Sequence, residues 1–327
     1  MQWQRARSRV MAAAADRRLL LAAGGIVLAR GALYLLRPDR PTDFDQLWWA
    51  ANALLAGDDP YAAIARGAPY PLYYPLPAVL VALPLALLPL AAARVLWDVL
   101  VGWIFAAALG RRGPVALLAL GSGAYVQAMV RGQTTPLLVA AVLVPALGWL
   151  LTLKPNIGLA LWAGYPTRRA VLLAAAAVAL SLAVMPTWPV AMWRAIGVNS
   201  AHIRAPVSMP FGWLLLAALL RWRRPEGRLL AALALIPQHL QPYETLVLCL
   251  LPRTGREMGL FVAGTWVALI PLIGRADVGA PDLVELGRVV WPWLLACVYL
   301  PALFLVLRRP GGPAPPEPDP GVRASAF

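Results

Sequence analysis

The sequence predicts an all-α membrane protein with several crossings, and three observations support this prediction. Of the 327 residues, 61% are hydrophobic and 13% are charged, whereas a soluble domain carries charge at about a quarter of its positions. The apolar residues form long blocks, and a block of about 18 residues is enough for a helix to cross the hydrocarbon core. Within the blocks apolar residues are continuous rather than alternating, which excludes a membrane barrel built from strands. The blocks are Leu19–Leu36, Pro75–Leu109, Pro114–Val130, Ala170–Met185, Met258–Gly274 and Val289–Leu307.

The basic residues give the predicted helices a direction. The net charge is +14, and the arginines are concentrated in short clusters that adjoin the apolar blocks. Cytoplasmic loops of membrane proteins carry such clusters, and anionic lipid headgroups are their expected partners, so we predict no nucleic-acid binding. The clusters are Arg5–Arg9, Arg17–Arg18, Arg111–Arg112, Arg168–Arg169, Arg221–Arg228, Arg253–Arg256 and Arg308–Arg309.

These signals divide the chain into a membrane domain with two short flanks. Residues 1–18 are predicted to be a cytoplasmic basic segment, and residues 19–307 the membrane domain. The block Leu19–Leu36 lacks a cleavage site and is interpreted as a retained first span. Residues 37–75 then form a long outer loop, and the Pro-rich residues 308–327 form a disordered cytoplasmic tail. The predicted location is a bacterial inner membrane, with both termini in the cytoplasm.

We expect about eight crossings together with two irregular elements. The first, Thr134–Leu153, contains two prolines and is predicted to be a broken or shallow hairpin. The second, Leu229–Leu251, is interrupted by the polar segment Pro237–Pro242. This second element fits either two half-helices with a polar tip facing outward or one Pro-kinked span. Irregular backbone at membrane depth is tolerated where it is buried in protein or lines a cavity.

Acidic residues are concentrated in the predicted outer loop. The chain has fifteen, and five of them lie between Asp39 and Asp59. The apolar residues from Phe44 to Leu55 follow helical spacing, which predicts an amphipathic helix in the membrane interface. Asp43 and Asp45 stand at its start. Their spacing from Gln46 and Thr42 suits helix capping, a structural role that does not exclude a catalytic one.

The order of several short motifs resembles glycosyltransferase family 87. The stretch Thr42-Asp43-Phe44-Asp45-Gln46-Leu47-Trp48-Trp49 is followed by Asp58-Asp59-Pro60-Tyr61 and Tyr73-Tyr74-Pro75-Leu76-Pro77. Arg131-Gly132-Gln133 and Leu153-Lys154-Pro155-Asn156 come next. The resemblance covers roughly residues 20 to 250 and is most specific between the first acids and Asp59-Pro60-Tyr61. The interval from Gly132-Gln133 to Lys154-Pro155 is short compared with that family.

The resemblance implies a GT-C-type fold and an inverting transfer of mannose or a similar sugar from a polyprenyl-phosphate donor. An envelope glycolipid or glycan would accept the sugar at the outer face. Asp43, with Asp45 as the close alternative, would be the general base, which must reach the acceptor hydroxyl. The implied donor-binding residues are Arg131, Gln133, Lys154, Arg204, His239 and Tyr61. No metal-ligand spacing is present, so the sequence assigns no cofactor beyond the polyprenyl-phosphate sugar as donor substrate, and dependence on a divalent metal stays open.

Each of these residues also has a structural interpretation. Arg131 and Lys154 fit helix ends from which long basic side chains extend to the interface. A loop position predicts that His202 is solvated, and Glu244 fits a pair with an arginine. Two other functions stay open at this point. One is a transporter or lipid flippase that uses Asp98, Glu244 and His239, and the other is an inactive partner of an envelope glycosyltransferase. The sequence makes no prediction of oligomeric state.

Overall fold

The computed structural model describes residues 41–67, 72–198, 200–273 and 283–309. The predicted first span, the N-terminal basic segment and residues 310–327 of the predicted tail lie outside the described residues. Arg308 and Arg309, placed in the disordered tail by the prediction, instead end the last described helix and follow it, and Arg309 is buried. The described part is helical, apart from loops and one isolated antiparallel bridge between Arg204 and Gln238. Its α-helices are α1 (Asp43–Leu55), α2 (Pro60–Gly67), α3 (Leu76–Ala86), α4 (Leu90–Gly110), α5 (Pro114–Leu117), α6 (Gly123–Val130), α7 (Thr135–Leu143), α8 (Pro155–Gly164), α9 (Arg168–Val184), α10 (Trp188–Val198), α11 (Pro225–Leu235), α12 (Gly255–Val267), α13 (Leu283–Leu294) and α14 (Leu300–Arg308). Six 3₁₀ helices cover Leu118–Gly121, Pro145–Leu153, Pro206–Ser208, Gly212–Arg221, Pro242–Leu250 and Ile270–Leu272, and a π-helical turn, Leu295–Tyr299, joins α13 to α14.

Two described helices are long and apolar enough to cross a membrane. They are α4, with 21 residues, and the continuous helix Leu283–Arg308, with 26. A third crossing is present if α9 and Trp188–Gly197, bent by 93°, form one broken span. The predicted number of about eight crossings is therefore not confirmed. Prolines and 3₁₀ segments divide most other apolar blocks into pieces that are too short, such as α3 with 11 residues.

Helix α1 forms where the predicted outer-loop helix was expected. Thr42 and Asp45 make the predicted capping box, in which each side chain bonds the other's main-chain N–H. The buried face of α1 packs against α3 and α4, so this helix is part of the protein core rather than only an interfacial element. Trp48 strengthens the contact by donating its indole N–H to the Leu88 carbonyl, at 3.1 Å.

Both predicted irregular elements are divided into two short helices. The first consists of α7 and the 3₁₀ helix Pro145–Leu153, which pack against each other. The second consists of α11 and the 3₁₀ helix Pro242–Leu250, with residues 236–241 between them. This is the half-helix form and not a single kinked helix. Proline begins each 3₁₀ piece, because its fixed φ suits a first turn and it has no N–H to leave unpaired.

The basic clusters meet at one end of α4. Arg112, just beyond that end, donates to the carbonyls of Cys249 and Leu250. Arg228 donates to the carbonyls at the end of α8, and Arg221 to that of Leu307. Here Glu226 forms ion pairs with Arg253 and Arg309, and Glu257 forms ion pairs with Arg308 and Arg309. We call this region the basic end. Arg94, in the first turns of α4, lies about 27 Å from Arg112 along the helix axis.

Candidate functional site

Asp45 holds α1 against the start of α4. Its two carboxylate oxygens accept from Arg94, with Nε to Oδ1 at 2.8 Å and the terminal guanidinium nitrogen to Oδ2 at 2.6 Å. The same oxygens accept from the main-chain N–H and the hydroxyl of Thr42, both at 2.8 Å. The Asp45 side chain is fully buried. A carboxylate committed to four hydrogen bonds away from solvent is poorly placed to accept a proton from a substrate, so the geometry favours the structural role for Asp45.

Asp43 lies in the same helical turn but in a different environment. It is partly exposed, whereas Asp45 and Glu244 are buried. Its main-chain N–H donates to the Arg131 carbonyl at 2.8 Å, and its Oδ2 accepts from the side-chain amide of Gln133. Asp43 is therefore fixed by the Arg131-Gly132-Gln133 motif while part of its side chain remains accessible.

Gly132 allows this motif to approach α1. Its φ is +66°, a left-handed conformation in which a side chain is costly. An added Cβ would lie 3.0 Å from the Phe44 Cβ and 3.2 Å from the Thr42 hydroxyl. The Gly132 carbonyl accepts from the Trp97 indole at 3.1 Å, and Trp97 stacks on Phe44. Glycine at this position thus brings Gln133 within reach of Asp43.

Lys154 and Glu244 form a buried ion pair beside this motif. The Lys154 Nζ lies 2.7 Å from the Glu244 Oε1, and both side chains are almost entirely buried. The other oxygen of Glu244 accepts from the main-chain N–H of His239 at 2.7 Å. Asn156, two residues after Lys154, donates to the Pro237 carbonyl at 2.9 Å. The Lys154-Pro155-Asn156 motif therefore holds the polar tip of the second irregular element.

Tyr243 connects the ion pair to Asp43. The Lys154 Nζ lies over its ring, 4.8 Å from the ring centroid. Gln133, the residue that bonds Asp43, also hydrogen-bonds the Tyr243 side chain. Burial raises the pKa of the Asp43 carboxyl above its ordinary value, and the charges of Arg131 and Lys154 act in the opposite direction. Asp45 and Glu244 reinforce the rise.

Two histidines and a tyrosine lie next to the ion pair. The ring centroids of His202 and His239 are 5.0 Å apart, and Tyr73 meets them edge-on at 5.9 and 6.4 Å. His202 is buried, so the prediction that it is solvated was wrong. The chain folds back through the Arg204–Gln238 bridge, which brings His202 over the polar tip. Burial lowers the pKa of His239 well below its ordinary value, and the positive charge of Lys154 adds to this effect. His239 is therefore a neutral hydrogen-bonding group at neutral pH rather than a cation for phosphate.

The other predicted donor-binding residues lie at different distances from this cluster. The charge of Arg131 acts on Asp43, and its side chain is partly exposed. Arg204 is exposed, and its Nε donates to the Ala201 carbonyl at 3.3 Å. Its contact with the polar tip is made by its main chain, through the bridge to Gln238. The Tyr61 hydroxyl donates to the Tyr74 carbonyl at 3.0 Å. Tyr61 therefore stabilises the main chain at Tyr74.

Sequence reasoning missed three contributors to this site. Arg94 lies inside an apolar block, where its charge should have indicated a buried partner. Tyr243 carries no signal that distinguishes it from core aromatics, and Tyr74, although part of the Tyr73-Tyr74-Pro75 motif, was assigned no role. Glu244 was expected to pair with a basic residue, but with arginine rather than Lys154. Among the described residues, no group of three or more His, Cys, Asp or Glu side chains is arranged to hold a metal ion.

Comparison of the chain with known protein families, with curated proteins and with solved structures gives no match. The function is therefore inferred from the geometry of the site.

Proposed function

We propose that this chain is a membrane glycosyltransferase that moves a sugar from a polyprenyl-phosphate donor onto a hydroxyl of an envelope glycolipid or glycan. The supporting observation is the convergence of Asp43, Gln133, Lys154, Glu244 and His239 from separate parts of the chain into one polar cluster. Asp43, Gln133 and Lys154 belong to the motifs that resemble glycosyltransferase family 87. Burying such a polar cluster in an apolar bundle costs free energy, which favours a functional reason for its presence.

Asp43 is the general base of this proposal. Its carboxylate accepts the proton of the acceptor hydroxyl as that oxygen attacks the anomeric carbon of the donor sugar. The bond from the anomeric carbon to the phosphate oxygen breaks, and the electron pair leaves with the polyprenyl phosphate. Attack opposite the leaving group inverts the anomeric centre. The raised pKa of Asp43 suits this role, because a stronger base takes the proton more readily near neutral pH.

Arg131 is the cation that we assign to the donor phosphate. Its side chain is partly exposed next to Asp43, whereas the charge of Lys154 is already matched by Glu244. A guanidinium also offers a planar fork of donors that matches two phosphate oxygens.

The deciding experiment compares Asp43→Asn with Asp58→Asn. Both variants are assayed in membranes with polyprenyl-phosphate mannose labelled in the sugar. Asp43→Asn keeps the shape and the contact with Gln133 but cannot take a proton, so we expect a loss of transfer of about 100-fold or more. Asp58 is an exposed acid of the same loop, and its replacement should leave transfer unchanged.

Full transfer by an inserted Asp43→Asn protein would contradict the assignment of the base. Wild-type membranes without any transfer would contradict the proposed function itself. In that case, movement of labelled lipid across vesicles would favour a transporter or flippase. Activity found only with a co-purifying transferase would instead favour an inactive partner.

A further inference from the structure

The buried ion pair of Lys154 and Glu244 has no direct part in the reaction described above. It is nevertheless a close ion pair that is almost completely buried. Its two side chains are 9% and 0% exposed, and its atoms approach to 2.7 Å. Breaking such a pair leaves an uncompensated buried charge, whereas well-packed apolar residues often stabilise a fold as well as an intact pair does. Stability alone therefore gives little reason to keep it.

The pair is connected to Asp43 through two side chains. Lys154 lies against the ring of Tyr243, Tyr243 is hydrogen-bonded by Gln133, and Gln133 donates to Asp43. The second oxygen of Glu244 fixes the main chain of His239. A displacement of Lys154 or Glu244 would therefore affect the position of Asp43 and of the polar tip together.

We propose that Lys154 and Glu244 are positioning residues that set the basicity of Asp43, and that Lys154 does not bind the donor phosphate. This inference rests on the proposed function. The pair places a positive and a negative charge at fixed positions near the Asp43 carboxylate. The positive charge stabilises the ionised base, and the negative charge opposes it. Because the lysine is already neutralised by a buried partner, it offers little net attraction to a phosphate.

The other charged and titratable groups around Asp43 are the same in the three ion-pair variants below. Arg131 lowers its pKa, and Asp45 raises it while itself paired with Arg94. The phenols of Tyr74 and Tyr243 also lie close enough to interact with the Asp43 charge. A difference between variants therefore reports the ion pair.

The experiment measures transfer against pH in three variants. Glu244→Gln leaves the lysine charge alone, so the acidic midpoint of activity should move down by about one pH unit. Lys154→Met leaves the glutamate charge alone, so the midpoint should move up by a similar amount. The double variant Lys154→Met/Glu244→Gln removes both charges, and its midpoint should lie between those of the single variants. The KM for polyprenyl-phosphate mannose should stay within about twofold of wild type in the double variant, whereas Arg131→Gln should raise it at least tenfold.

The outcomes separate this inference from the proposed function. Two single variants that shift the midpoint in the same direction, or not at all, would overturn the tuning role. A rise in donor KM in the double variant comparable to that of Arg131→Gln would return Lys154 to the phosphate site. If Lys154→Met does not fold, Glu244→Gln is compared with the double variant, which leaves no buried charge unpaired. Glu244→Gln should then have the lower midpoint, and equal midpoints would overturn the tuning role.

A second readout does not depend on activity. The carboxylate band of Asp43, assigned by its loss in Asp43→Asn, can be titrated by infrared difference spectroscopy. Its midpoint should move with the same signs in the same variants. An unchanged Asp43 titration would overturn the inference even if the wild-type protein transfers sugar, and a shifted titration would support it even if the transferred group is a different one.

Discussion

Asp43 and Asp45 lie in the same helical turn but differ in burial and in hydrogen bonding. Asp45 is buried and makes four hydrogen bonds, two of them with the guanidinium of Arg94. Asp43 is partly exposed, and burial raises the pKa of its carboxyl. A group whose pKa is higher in the folded than in the unfolded state weakens the fold once it ionises. Above the raised pKa, the ionised Asp43 therefore costs stability, whereas the paired carboxylate of Asp45 holds α1 in place.

This difference predicts opposite stability effects for two otherwise identical changes. At neutral pH, Asp43→Asn should leave the unfolding temperature unchanged or raise it, because a poorly solvated charge is removed. Asp45→Asn should lower it, with a loss of about 3 kcal/mol, because Arg94 stays buried without a counter-charge. Thermal unfolding in detergent measures both. A larger loss for Asp43→Asn than for Asp45→Asn would reverse the assignment of the two roles.

Substitutions at two glycines with left-handed φ distinguish the cost of backbone strain from the cost of a packing clash. Gly132 and Gly57 have φ of +66° and +81°, but a Cβ on Gly57 meets nothing within 4 Å. Gly57→Ala should therefore cost about 1 kcal/mol from conformation alone. Gly132→Ala should cost more, since its Cβ also presses on Phe44, and it should lower transfer by displacing Gln133. Equal unfolding temperatures for the two variants would mean that the approach to α1 is not constrained.

At the scale of elements, ion pairs at the basic end join helices that are distant in sequence. Glu226 lies in the first turn of α11, and Arg309 follows the end of α14. Burial alone would raise the pKa of Glu226, but hydrogen bonds and the charges of Arg253 and Arg309 lower it. A carboxyl with a lowered folded-state pKa stabilises the fold above its unfolded pKa. That contribution is lost as the pH falls through the folded pKa.

Removal of Arg309 should release α14 from this network. Arg309→Gln should lower the free energy of unfolding by about 3 kcal/mol, because Glu226 and Glu257 lose a nearly buried partner. Arg288 provides the matched control, since its pair with Glu285 is exposed on both sides. Arg288→Gln should change stability by less than about 0.5 kcal/mol. The difference should shrink in acid, where the two glutamates are protonated, and a constant difference from neutral to acidic pH would rule out the ionic explanation.

Across the whole molecule, the candidate site and the basic end lie at different positions along the helix axes. Arg94 and Arg112 are about 27 Å apart along α4, close to the roughly 30 Å of a hydrocarbon core. Lys154 immediately precedes α8, whose ten residues place it within about 15 Å of the basic end. The site therefore reaches from the start of α4 towards the middle of the bundle, where short broken helices replace continuous ones.

The orientation in the membrane can be tested with single cysteines. In a background with Cys249→Ala and Cys297→Ala, Asp58→Cys should react with an impermeant maleimide added to intact cells. Arg256→Cys, at the basic end, should react only after permeabilisation, because basic clusters favour the cytoplasmic side. Both positions are exposed. The reverse labelling pattern would place the site in the cytoplasm and exclude a donor presented at the outer face.

The sequence by itself determined the helical class, the position of α1 with its Thr42–Asp45 cap, and the interruptions at Thr134–Leu153 and Leu229–Leu251. These features depend on local spacing, capping and proline, which act within a few residues. It could not count the crossings, because apolarity alone does not distinguish a spanning helix from short packed pieces. Only the tertiary structure separated Asp43 from Asp45 and paired Lys154 with Glu244. Those choices depend on burial and on partners such as Arg94 and Gln133, which come from distant parts of the chain and leave no trace in local sequence.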